Sequence, residues 1–168
     1  MALHSRRHRA ALRVLRETPP PGHVLVMCYG NICRSPYLEA LLRMSLPNVE
    51  VSSAGWVGPG RGVPEHSTAI AGARGIDLSA HRSRLINGDM LDSADVVIVM
   101  DRQQSRMLQG IFRFPRERII IAGDLDPVPD DRAIHDPWGQ SRAVFEASFA
   151  RLDRCAATFT DSVKGVDD

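Results

Sequence analysis

Cys28 and Arg34 stand six positions apart, with Ser35 directly after, in the run Cys28-Tyr29-Gly30-Asn31-Ile32-Cys33-Arg34-Ser35. The run holds a nucleophile, a fixed cation and residues able to turn the chain sharply. A thiolate is the reactive form of cysteine, and nearby N–H groups and cations stabilise it. The planar fork of an arginine matches two oxygens of a phosphate. A loop curled in front of a helix points several backbone N–H groups into one concavity, and the helix dipole adds positive potential there. Tyr29, Gly30, Asn31, Ile32, Cys33 and Ser35 would form such an anion cradle. Cys28, at its start, would lie beneath the anion and attack phosphorus. Phosphoryl transfer to sulfur also needs a proton for the leaving oxygen and later a base for water, and one carboxyl group can do both; Asp136-Pro137 is an Asp-Pro pair, a pattern that by itself reads as a turn. Asp126-Pro127 is a similar pair in the same region.

The elements that would hold these groups can be read around them. The apolar run Val24-Leu25-Val26-Met27 predicts a strand over 24–28, and a helix follows over 36–45. Ser35 suits the N-cap and Pro36 the first helical position. Gly30 and Asn31 are the residues most able to take positive φ. Further strands are expected at 49–53, 95–100 and 118–122. Helices are expected at 67–73, 102–112 and about 140–159. In the last of these, Phe145, Phe149, Leu152, Cys155, Ala156 and Phe159 recur every three or four residues. Apolar strands alternating with helices predict an α/β fold, a small doubly wound four-stranded parallel sheet with helices on both faces. In such sheets ligands bind at the carboxyl ends of the strands, which is where Cys28 falls.

Composition narrows the function classes. The 168 residues carry a formal net charge of +1, so no strong field argues for nucleic acid. No apolar run is long enough for membrane insertion. Three cysteines are few for a disulfide scaffold, which favours a reducing, cytoplasmic setting. Cys28 and Cys33 make a poor zinc pair, since no matching Cys or His cluster follows; neither metal nor cofactor is expected. Cys155 reads as core. Residues 1–22 stand apart as a basic, Pro-terminated extension, with five arginines against Glu17 alone. They read as a frayed or loosely docked arm, with an arginine-rich, anion-seeking arm as the alternative. Residues 23–168 are expected to form one catalytic domain.

The string Cys28–Pro36 resembles the signature of the low-molecular-weight protein tyrosine phosphatases. Val51–Gly55, Arg74–Arg84, Asp95–Asp101, Gly123–Pro127 and His135–Gly139 are similar to that family's later blocks, in family order. The resemblance runs from Val24 to Phe159 and implies a flavodoxin-like strand order. It implies a cysteine-dependent phosphotyrosine-protein phosphatase with Cys28 as nucleophile, Arg34 as phosphate ligand and Asp136 as general acid, then base. Asn31, Ser53 and His81 match positions that support the loop. Tyr29, Trp56 and Trp138 would wall the ring of the substrate, although Trp56–Gly62 departs from the common versions. A Cys28–Cys33 disulfide under oxidant is a habit of the family. Asp101 matches a family position too and reads as structural. The partner implied is a tyrosine-phosphorylated protein, in a bacterium one candidate being a tyrosine kinase of polysaccharide export. The enzyme itself would be a monomer or weak dimer. An arsenate reductase using the same loop is the alternative, though it needs a downstream cysteine pair and only Cys155 is present. A non-catalytic anion-binding module would be preferred only without Cys28 or Arg34.

Overall fold

Strand β1 (His23–Met27) is buried along its whole length and sits between two apolar layers. Side chains alternate across a strand, so Val24 and Val26 join one core cluster while Leu25 and Met27 join the other. The computed structural model describes residues 1–17 and 19–165. The sheet is completed by β2 (Glu50–Ala54), β3 (Val96–Val99) and β4 (Ile119–Ile121), in the order β2-β1-β3-β4. Every pairing is parallel, and Met27 pairs with Ala54, Val26 with Ile98, and Val99 with Ile121. The flavodoxin-like α/β architecture follows. Each strand bound differs from the one expected by a single residue.

On one face lie α2 (Arg34–Ser45), α3 (Glu65–Ala73) and α6 (Arg142–Lys164). Tyr37 of α2 stacks on Phe149 of α6 at 4.0 Å between ring centroids. Phe145, Phe149 and Phe159 are nearly or fully buried, each worth about 1.5–3 kcal/mol of apolar burial. Leu91 of α4 (Gly88–Ser93) and Leu108 of α5 (Arg102–Phe112) cover the other face. Asp101 caps α5 by accepting from the Gln104 amide, a structural role. The short α4, capped by Asn87, is not evident from periodicity, since six residues hold too few apolar positions. Helix α6 also runs past Phe159 to Lys164.

The arm before β1 corrects the expectation of a frayed or loosely docked extension. Ala2–Glu17 form α1, which packs on α6. His4 and Leu15 are buried on its inner face, while Arg6, Arg9, Arg13 and Arg16 lie on the exposed one. His8 Nδ1 donates to Asp124 O at 2.9 Å, and Arg7 Nε stands 3.5 Å from the Asp124 carboxylate. The helix is amphipathic, and its apolar side found a partner in the tertiary fold. Within the Pro-terminated end of that extension, Thr18 lies outside the described residues. Among the described residues no helix is long and apolar enough to cross a membrane.

Candidate active site

The loop between β1 and α2 holds the chemistry. Cys28 N still donates to Ala54 O of the sheet, at 3.4 Å. From there to Arg34, where α2 begins, the amides of Tyr29 to Cys33 have no acceptor among the described residues. Unpaired backbone donors, followed by the free amides of a helix's first turn, make an anion site. Asn31 takes the left-handed conformation, φ 52°. Gly30 does not, contrary to the sequence reading. Its missing Cβ makes room instead for the Arg61 guanidinium, whose Nη2 would stand 2.9 Å from such an atom.

Ser35 and Pro36 also fall differently. Arg34 is the first residue of α2, so Ser35 and Pro36 are second and third, and Cys33 occupies the cap position without a side-chain bond. Pro36 still lacks an N–H where helices leave one unpaired. Ser35 is fully buried, with its hydroxyl 3.0 Å from Cys28 Sγ.

A chain of hydrogen bonds orders that hydroxyl. Asn31 Nδ2 donates to Ser35 Oγ and to Ser53 Oγ, each at 2.8 Å. Ser53 Oγ donates in turn to the buried Glu39 carboxylate. With Asn31 already donating to it, Ser35 Oγ has its own proton left for Cys28 Sγ. Asn31 Oδ1 accepts from the Arg84 amide, and His81 Nε2 donates to Asn31 O at 2.7 Å. Asn31, Ser53 and His81 thus converge on the loop. Glu39 and Arg84 were missed by sequence reasoning. Glu39 left a signal, a carboxylate four positions after Ser35 and hence on the same helical face.

Arg34 is 3 % exposed. Its Nη1 donates to Ile134 O at 2.8 Å and its Nη2 to Asp136 Oδ2 at 2.5 Å. Nε is buried and has no partner among the described residues, so one edge of the fork remains a donor. The Asp136 side chain is 44 % exposed, within reach of water, and also accepts from the Trp138 amide. Asp126 contrasts with it in burial. It is fully buried and takes hydrogen bonds from Arg151, Arg154 and the Val128 amide. Burial pushes its carboxyl up, but those bonds outweigh burial and hold it below the usual carboxylate range.

Cys28, Tyr29, Gly30, Ile32, Cys33, Val57, Arg61, Asp136 and Trp138 surround one cavity of about 190 Å³. Tyr29 and Trp138 are exposed at its mouth. Trp56 is not among its walls. It packs in the second core cluster, tilted against Phe112 at 6.2 Å, because the chain turns after Gly55 and presents Val57 and Arg61 instead. All three cysteines are free and buried. Burial, then the nearby Cys28 and Asp136, pushes the Cys33 thiol up to about 12. Among the described residues no group of three or more His, Cys, Asp or Glu could hold a metal ion.

A thiol beneath free amides, a buried arginine and a water-accessible carboxyl together make a phosphoryl-transfer site at the carboxyl end of a central parallel strand. Residues 23–166 match the low molecular weight phosphotyrosine protein phosphatase family. The probable low molecular weight protein-tyrosine-phosphatase EpsP of Ralstonia solanacearum is 35% identical over 133 residues, covering 78% of this chain and 88% of that protein. The crystal structure of the Erwinia amylovora tyrosine phosphatase AmsI is similar at 30% identity and a TM-score of 0.78, covering 84% of this chain and 92% of that one. The arginine phosphatase YwlE of Geobacillus stearothermophilus is similar at 28% identity and a TM-score of 0.78, with 86% and 94% covered. The chain belongs to the low molecular weight phosphotyrosine protein phosphatase family. Helix α1 precedes the matched region.

Proposed function

We propose that the protein hydrolyses phosphotyrosine in protein substrates through a phosphocysteine intermediate. The Cys28 thiolate attacks phosphorus, a sulfur–phosphorus bond forms, and the bond to the tyrosine oxygen breaks. Asp136 gives that oxygen its proton. The loop amides and Arg34 carry the charge of the transferring phosphoryl group, the usual work of preorganised donors. Water then attacks phosphorus, Asp136 takes its proton, and phosphate and the thiolate are released. Ser35, ordered by Asn31, Ser53 and Glu39, donates to the sulfur and favours its departure.

The observation that carries this reading is the placement of Asp136. It lies 102 positions after Arg34, yet it is bonded to Arg34 and borders the same cavity as Cys28. Ile32, Val57, Tyr29 and Trp138 give that cavity largely apolar sides, which suit an aromatic ring. A guanidinium, the group carried by substrates of an arginine phosphatase, would ask for acceptors there, and among the described residues Asp136 is the one carboxylate lining the cavity. Arsenate reduction is disfavoured by Cys155. That thiol is buried, donates to Ala122 O at 3.1 Å, and is pushed up to about 12 by burial and then by Asp126. We place the enzyme in the cytoplasm, where three unpaired thiols persist, and expect a monomer or weak dimer.

The test is turnover of phosphotyrosine, phosphoserine and phosphoarginine peptides, with arsenate reduction alongside and chelator in a parallel arm. Phosphotyrosine should be preferred, chelator should leave the rate unchanged, and Cys28→Ser should abolish turnover while still binding vanadate. Substantial turnover by Cys28→Ser, or recovery of a chelated enzyme by added metal, refutes the reading.

A further inference from the structure

One wall of the cavity is a cation that the mechanism above does not use. Arg61 follows a tight turn and lays its guanidinium back over Gly58 and Gly30. Nε donates to Gly58 O at 2.8 Å, and Nη2 donates to Gly30 O at 3.1 Å and to Val57 O at 3.2 Å. Both glycines leave the room it occupies. A Cβ on Gly58 would collide with the guanidinium, and φ there is +65°. Three carbonyls therefore hold the group in one orientation. Nη1 has no partner among the described residues, and no carboxylate there pairs with Arg61. The Asp136 carboxylate, which borders the same cavity, is engaged by Arg34. A rigid guanidinium with an open edge, beside the pocket for the reacting phosphate, is a preformed receptor for oxygen anions.

We propose that Arg61 is a specificity-determining residue, binding an anionic group of the substrate chain, a carboxylate or a second phosphate, next to the phosphotyrosine held over Cys28. The proposal rests on the phosphotyrosine reading above. Backbone carbonyls cancel little of the arginine's full charge, and its immobility removes part of the entropy cost of pairing. The mouth is open to solvent between the exposed Tyr29 and Trp138, so the pair is worth what exposed ion pairs are worth, about fivefold in affinity. An interaction made equally before and in the transition state changes KM and leaves kcat alone.

The experiment uses the full chain and matched phosphotyrosine peptides carrying alanine, glutamate or a second phosphotyrosine immediately before or after the reacting residue. A small aryl phosphate serves as reference. The wild type should favour one or both anionic sets over alanine by about fivefold in kcat/KM, through KM, and the preference should shrink as salt rises. The glutamate and phosphate arms tell which anion is read. Arg61→Gln should bring anionic and alanine peptides level. Any loss it shows on the aryl phosphate reports displacement of the Gly30 loop and is divided out. Equal kcat/KM for all peptides in the wild type, or a preference that survives Arg61→Gln, overturns the proposal and leaves the phosphatase reading standing. Failure to turn over any phosphotyrosine peptide overturns both.

Discussion

Asp126 and Asp136 look alike in sequence, each followed by proline, and replacing each by asparagine separates chemistry from stability. In Asp136→Asn the new amide keeps an oxygen that can accept from Arg34 Nη2, and the lost charge was half-exposed. Because Arg34 itself is buried, the stability cost lies between that of an exposed and a buried pair, about 1–3 kcal/mol, a fall of about 2–12 °C in Tm. Its chemical cost is far larger, because an amide cannot protonate a leaving oxygen. On phosphotyrosine, whose leaving group is basic, kcat/KM should fall about 10²–10⁴-fold. On an ester of a very acidic phenol the loss in kcat/KM should be small, while kcat keeps a deficit if breakdown of phosphocysteine limits it. The basic limb of the pH profile should be lost as well. Asp126→Asn does the reverse. Arg151 is trapped, with its side chain 8 % exposed, while Arg154 at 36 % can turn to water. Leaving a buried arginine without its carboxylate costs about 3 kcal/mol or more, lowering Tm by about 10 °C. The folded Asp126 carboxyl titrates below its unfolded value. Its contribution is therefore present above about pH 3.9 and is lost as pH falls through the folded value, so Asp126→Asn should also flatten the acid limb of stability. Kinetics of both variants over several leaving groups, with calorimetry beside them, decide the matter. A leaving-group-dependent defect in Asp126→Asn, with Asp136→Asn near normal, would refute the assignment.

Three further outcomes follow from the cysteines and Arg34. Mild peroxide should inactivate the enzyme reversibly, because Cys33 borders the same cavity as Cys28 and can close a disulfide on its sulfenic acid; full recovery of Cys33→Ser by added thiol after the same dose would show that Cys33 does not protect. Cys33 and Cys155 are raised from 9.0 to about 12, so both favour folding below pH 9 and that stability drains away as pH rises toward 12. Denaturant titrations should show this decline, and Cys155→Ala should shallow it while lowering stability at pH 7; an unchanged slope would contradict the cause given. Arg34→Lys should be severely impaired, since a point charge cannot both hold Ile134 O and Asp136 and present a donor edge; near-normal kinetics would count against its assigned role.

The run Cys28–Ser35 was legible in the sequence because its chemistry is local. Nucleophile, cation and turn residues lie within one loop, and apolar runs bounding it dictate strand and helix by period alone. The β-α alternation likewise announced a parallel sheet, and the step of three or four along Phe145, Phe149 and Leu152 announced a long amphipathic helix. What the sequence could not decide are matters of long-range approach. Trp56 and Trp138 are equally aromatic, but only the tertiary path sends Trp56 into the core and Trp138 to the mouth. Arg61 has no periodic or motif signal, and its place over Gly58 and Gly30 exists only once the loop after β2 folds back on the loop after β1. Glu39 needed Ser53 brought across from β2 before its burial made sense. The arm at residues 1–22 read as frayed or loosely docked because local sequence does not say which surface of the fold will cover it. Asp126 and Asp136 differ in the same way, one sealed between two arginines of α6 and the other set against Arg34. A carboxyl's work depends on its surroundings, and those are assembled from residues as far as 102 positions away.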